Sequence, residues 1–314
     1  MIEHHELTSL AETAMDRLRE SLETAGECLS REVLRWIETL RPDDPAGAYF
    51  LDADAFPHLR FPVFAERALC GRHVADLQVQ LAFSSINGYY HIRLIDNLMD
   101  GNATAELQLL PALGVFHTNF QTAYLALFDA EHPFWRHFRQ YWFATADVTI
   151  RDAKIDNYDM QKFVEIASRK TCAAMIPVAA VLHHYGRPEL IEPWAECIER
   201  FGRWHQLYND LVGWLGDRQR GTTTYFLAEA RRRRHPGEPV ESWVVREGYH
   251  WAADLLADLM SKTKAAARPL KSPELDAYLE MRETGFAKER RGAESGFERA
   301  RVLLASLSTS EDRH

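Results

Sequence analysis

The chain has 314 residues, 46 % of them hydrophobic, enough to bury a large core, and a formal net charge of −9. That charge argues against nucleic acid or an anionic membrane surface as the main partner. The four cysteines show no C-x-x-C spacing, the N-terminus is acidic and amphipathic, and no run of about 18 apolar residues occurs. The expectation is a cytoplasmic protein with reduced thiols, no signal peptide and no membrane span.

Taken in chain order, apolar residues recur at helical spacing through 6–24, 29–41, 62–100, 105–128, 134–152, 158–185, 189–217, 241–263 and 274–307. Period-two runs that would mark strands are nearly absent. Proline and glycine fall between the runs, at Pro42, Pro45, Pro57, Pro133, Gly186 to Pro188, Pro236 to Pro239, Pro269 and Pro273. The basic stretch Arg231 to Arg234 reads as a last helical turn that complements the helix dipole. The pattern predicts an all-α protein: a single-domain helical bundle over 1–314 around a central apolar cavity. N-terminal helices occupy 1–61, the core bundle 62–263 and a C-terminal helix 264–314.

Two helical faces carry oxygen donors. Asp96 and Asp100 lie at i, i+4 at the end of a helix whose upstream residues (Leu81, Ile86, Tyr89, Ile92) are apolar. Asn209, Gly213 and Asp217 lie at i, i+4 and i+8, with Gly213 leaving a bare notch between the two oxygen donors. Facing each other, these groups suit a hard divalent cation that takes oxygen ligands and keeps several waters. Lys170–Thr171 precedes a run of small apolar residues, and a lysine there is costly unless an anion such as a diphosphate is near. Arg218, Arg220 and Thr222 to Thr224 follow the second face and supply cations and hydroxyls for a phosphate. Arg93, one turn before Asp96, reads either as part of this site or as a structural partner of Asp96.

In this order the parts resemble the class I isoprenoid synthases, which comprise the trans-prenyl diphosphate synthases and the class I terpene synthases. The resemblance covers roughly residues 62–263. Asp96–Asn97–Leu98–Met99–Asp100 is similar to the family's D-D-x-x-D, with Asn97 at the second Asp. Gln206 to Asp210 is similar to F-Q-x-x-D-D, and Asn209, Gly213 and Asp217 are similar to N-x-x-x-S-x-x-x-E. Lys170–Thr171 is similar to the Lys-Thr pair whose lysine grips the diphosphate.

The resemblance implies the class I isoprenoid synthase fold. It also implies a Mg²⁺ cluster of up to three ions, or Mn²⁺, on Asp96, Asp100, Asn209, Asp217 and, through water, Gly213. Lys170, Arg218 and Arg220 would hold the diphosphate of a linear prenyl diphosphate. Rings such as Tyr89, Phe116 and Tyr208 would face the carbocation, although each also reads as ordinary core. A homodimer is the common assembly.

Two departures bear on function. The Arg-Arg-Gly of chain-elongating synthases is absent from 101–106. Their Gly-Lys-x-x-Arg-Pro has its nearest counterpart in His58–Leu59–Arg60–Phe61–Pro62, which lacks the lysine. Those cations hold isopentenyl diphosphate, so the first expectation is a terpene synthase that cyclises or eliminates. The alternatives are a prenyltransferase using another acceptor and a non-catalytic helical homologue.

Overall fold

The computed structural model describes residues 4–40, 47–99, 107–155 and 157–311, with side chains through Glu298. Among these residues the secondary structure is helical, and one contiguous buried core runs from the first helix to the last. The helices are α1 (His4–Ala25), α2 (Glu27–Leu40), α3 (Arg60–Cys70), α4 (Ala75–Met99), α5 (Ala112–Leu125), α6 (Phe134–Ala153) and α7 (Met160–Lys170). There follow α8 (Met175–His184), α9 (Ile191–Arg220), α10 (Tyr225–Arg233), α11 (Val240–Trp243), α12 (Tyr249–Ala267) and α13 (Pro273–Glu311). A π turn, Val244–Gly248, joins α11 to α12. Among the described residues, no helix is long and apolar enough to cross a membrane.

Two helices carry the centre. α4 packs on α1 and α5, while α9 packs on α7, α8, α10 and α12. α4 buries Leu81, Ile86, Tyr90 and Leu94, and also small or polar residues that bond within the bundle. The Ser84 hydroxyl donates to the Phe120 carbonyl at 2.9 Å, and the Asn119 amide donates to Asn87 Oδ1 at 3.1 Å. These bonds tie α4 to α5 where apolar contact alone would leave the register free.

The apolar runs at 62–100 and 158–185 each divide into two helices. Gly71, at φ 70°, closes α3 with its N–H on the Arg67 carbonyl, a conformation that glycine adopts without strain. In the second run Pro177 has no N–H for the Ala173 carbonyl, so an unbroken helix would leave that bond unmade. Starting α8 at Met175 puts Pro177 in the first turn, where no intrahelical N–H bond is needed. The chain therefore leaves α7 at Lys170, turns through Thr171 and a 3₁₀ segment, Cys172–Ala174, and re-enters helix. α10 is a helix that the periodicity did not delimit; Thr224 caps it, its hydroxyl accepting from the Leu227 N–H.

The break between α7 and α8 crosses α9 at Gly202. A Cβ there would lie 2.4 Å from Thr171 Oγ1 and 3.0 Å from the Ala167 carbonyl oxygen. Gly202→Ala is expected to force the two segments apart and lower stability by about 1–3 kcal/mol, read as a lower urea midpoint. An unchanged midpoint would show that the crossing is looser than this.

Candidate functional site

Between α4, α9 and the α7–α8 break lies a cavity of about 540 Å³. Asp96 and Arg93 of α4, Lys170 and Thr171 of the break, and Gln206 and Asn209 of α9 line one end. Phe56, His58, Tyr49, Tyr89 and His205 line a second wall, and Ser85, Gly88, Tyr90 and Phe120 line a third. Gly88 lets the Phe120 ring reach this wall, because a Cβ at 88 would be 3.0 Å from Phe120 Cδ2.

Lys170 is positioned by a residue the sequence reading did not single out. Its Nζ lies 2.5 Å from Asp152 Oδ2 on α6, and the Tyr158 hydroxyl donates to the other oxygen of that carboxylate at 3.2 Å. Burial opposes the ammonium, but Asp152, with smaller contributions from Asp96 and Asp210, more than offsets it and raises the Lys170 pKa above the ordinary lysine value. The site therefore holds a fixed cation. Asp152 carries no sequence signal beyond being one of many acidic residues on an amphipathic helix.

Asn209 Nδ2 lies 3.1 Å from His205 Nε2 one turn earlier on α9. When that amide nitrogen donates to the ring, the amide oxygen is the atom left for a cation. Asp210 turns the other way, into the core. It accepts from Gln206 Nε2 at 2.8 Å and from the Tyr225 N–H at 3.2 Å, joining α9 to the start of α10. Burial raises its carboxyl pKa from 3.8 to about 7, against the lowering effect of the Gln206 bond and Lys170. Asn97, at the family's second Asp, is 4 % exposed, and its amide nitrogen has no partner. A carboxylate there would be desolvated, which accounts for the uncharged side chain.

Of the sequence-expected site residues, the structure brings Asp96, Lys170, Asn209 and Tyr89 to one cavity. Asp100 lies outside the described residues. Gly213 and Asp217, one and two turns beyond Asn209, are not among the described lining residues. Asp217 pairs with Arg220 at 2.7 Å, and Arg218 pairs with Glu241 of α11. Phe116 is fully buried behind Tyr90, against Trp36. Tyr208 faces α13, stacked on Trp204, with its hydroxyl donating to Glu289 at 3.2 Å. The periodicity marked both as apolar-face residues, but only packing decides which rings reach the cavity; Tyr90 and Phe120 do.

The fold is similar to that of octaprenyl pyrophosphate synthase from Helicobacter pylori, at a TM-score of 0.66 and 12 % identity over 89 % of this chain and 98 % of that one. It is also similar to geranylgeranyl pyrophosphate synthetase from the archaeon Geoglobus acetivorans, at a TM-score of 0.62 and 16 % identity over 87 % of this chain and 98 % of that one. Polyprenyl synthetase from Streptomyces coelicolor A3(2) gives 0.62 and 16 % over 90 % of this chain and 99 % of that one. No protein-family profile matches the sequence, and no curated protein does. The chain thus has the all-α fold of the class I isoprenoid synthases.

Asp210 sets a pH dependence of stability. Between its unfolded value near 3.8 and its folded value of about 7, the folded chain holds a proton that the unfolded chain has released, so stability falls as pH rises through that window. Asp210→Asn removes this term. Its stability relative to wild type is expected to be more favourable at pH 8 than at pH 5 in urea unfolding; the same difference at both pH values would contradict the assignment.

Proposed function

We propose that the protein is a prenyltransferase that breaks the allylic C–O bond of a linear prenyl diphosphate and joins the carbon chain to an acceptor. The observation that carries this reading is the meeting of Asp96, Asn209 and the Asp152-held Lys170 at one end of a cavity whose other walls are aromatic. The likeness to solved prenyl diphosphate synthases supports transfer over cyclisation.

Lys170 binds the diphosphate as a fixed cation. The donor set at this end, a carboxylate and an amide oxygen, fits Mg²⁺. Among the described residues no group of three or more His, Cys, Asp or Glu could hold a metal ion by itself, so Asp96 and Asn209 would each contribute an oxygen, with waters and phosphate oxygens completing the coordination. When bound, Mg²⁺ supplies neutralisation of the leaving group's charge. Tyr89, Tyr90 and Phe120 exclude water and turn ring faces toward the allylic carbon. Arg218 and Arg220 are not among the described lining residues and are paired with Glu241 and Asp217.

A second reading, a terpene synthase that cyclises or eliminates without an acceptor, is favoured by Arg60. Its guanidinium is turned to the Leu51 carbonyl at 3.3 Å and lies 5.9 Å from the Tyr278 ring, away from the cavity, so it does not hold a second diphosphate.

The test is incubation with geranyl, farnesyl, geranylgeranyl and geranylfarnesyl diphosphates plus Mg²⁺, reading released diphosphate and prenyl products. Metal-dependent release from at least one chain length is expected, with prenyl alcohol as product when no acceptor is supplied. Cyclic or eliminated hydrocarbon would favour the second reading, and no release at any length would overturn both. Asp96→Ala and Asn209→Ala are each expected to cut release by at least about 100-fold. Lys170→Met is expected to raise KM about tenfold or more, and wild-type kinetics in all three would exclude this end of the cavity as the reacting site.

A further inference from the structure

The cavity has one charged side chain that the proposed function leaves without a task. Among the described lining residues the cations are Lys170 and Arg93. Lys170 is already neutralised by Asp152, whose carboxylate lies 2.5 Å from Nζ. His58 and His205 add no charge at neutral pH, because burial above all lowers their pKa values to about 4 and about 3. Arg93 differs from all three. It is exposed, and among the described residues it has no hydrogen-bond or ion-pair partner. Its guanidinium is protonated throughout the physiological range. Among the described lining residues it is therefore the cation whose charge no protein carboxylate has taken up.

The place of Arg93 on α4 sets what it can reach. Ser85, Gly88, Tyr89, Ile92, Arg93 and Asp96 all line the cavity, and spacings of three and four put them on one face of the helix. A helical side chain leans toward the N-terminus, so Arg93 lies over the turn that carries Tyr89. Burial raises the pKa of the Tyr89 hydroxyl, and the nearby guanidinium of Arg93 opposes that rise. Asp96 follows one turn later on the same face, at the end that Lys170 and Asn209 also line. A ligand seated against Asp96 thus meets Arg93 along α4 and Lys170 from the α7–α8 break.

Charge balance gives the arrangement its meaning. A prenyl diphosphate is a polyanion, and the described carboxylates that line the cavity are Glu38 and Asp96. Lys170 and Asp152 together sum to zero, so without Arg93 these lining side chains would meet the polyanion with net negative charge. The planar fork of a guanidinium also matches two phosphate oxygens at once, which an ammonium cannot do.

We propose that Arg93 is a diphosphate-binding residue, its guanidinium donating to two non-bridging oxygens of the prenyl diphosphate directly rather than through a metal ion. The proposal rests on the prenyl-diphosphate reading and adds to it a residue for which the resemblance to the class I isoprenoid synthases gives no role. Arg93 and Lys170 hold the leaving group from two sides, and Arg93, being exposed, is the one that meets the anion as it arrives from solvent.

The test reads binding without turnover. The full-length protein is titrated calorimetrically with inorganic diphosphate, once in EDTA and once in Mg²⁺, and wild type is expected to bind in both. Arg93→Gln is expected to bind about tenfold or more weakly in both, as for loss of charge-assisted hydrogen bonds. Arg93→Lys keeps the charge and loses the fork, so its affinity is expected to fall between the two. Arg139→Gln removes an exposed arginine of α6 that is not among the described lining residues. It is expected to match wild type, which separates a local contact from a change in net charge. Because Arg93 is exposed and no described residue bonds it, its variants are expected to keep the wild-type urea midpoint. The proposal is overturned if Arg93→Gln binds diphosphate as wild type does, or if Arg139→Gln loses as much affinity. Failure of wild type to bind diphosphate in either buffer would instead strike the prenyl-diphosphate reading itself, and the role of Arg93 with it.

Discussion

The crossing of the α7–α8 break over α9 at Gly202 is the contact on which the site depends. Two backbone segments approach so closely there that a methyl group would overlap Thr171 Oγ1. Because the interior is close-packed, that approach sets the position of what lies within about two turns on either side. On one side it delivers Lys170 and Thr171, and on the other His205, Gln206 and Asn209, all to the same cavity. Pro177 makes the break and Gly202 makes room for it. Gly202 is not among the described lining residues, yet the site has no shape without it and Pro177, which lines the cavity.

Charge is distributed around that crossing with evident economy. Lys170 is held charged by Asp152, while Asp210, adjacent in sequence to Asn209, is turned inward to bond the start of α10. Asn97 replaces a carboxylate where the helix face is buried. The acidic groups at the crossing are thereby sorted: Asp152 meets Lys170, and Asp210, facing the core, is bonded to N–H donors. A buried unpaired charge would cost several kcal/mol, so this sorting is a condition of folding as much as of function.

The helices were legible because apolar residues recur at helical spacing and proline and glycine fall between the runs. The two breaks were not read, although Gly71 and Pro177 stood in the sequence as signals; the long apolar runs around them outweighed single residues. Asp96 and Asn209 were singled out by their helical spacing and Lys170 by its place before an apolar run, and the three line one cavity. Asp152 and His205 were not singled out. The first acquires its role only from a lysine on another helix, and the second only from a cavity lined mostly by other segments.

The sequence by itself determined the all-α class, the order of the oxygen-donor faces and the lysine between them, because periodicity and short spacings are local properties of one chain segment. Which rings line the cavity, which carboxylate holds the lysine and where Arg60 points were decided only by tertiary structure. Phe116 and Phe120 carry the same local pattern, yet one packs behind Tyr90 and the other lines the cavity. That difference is set by what stands opposite each ring, and no spacing within a single helix encodes it.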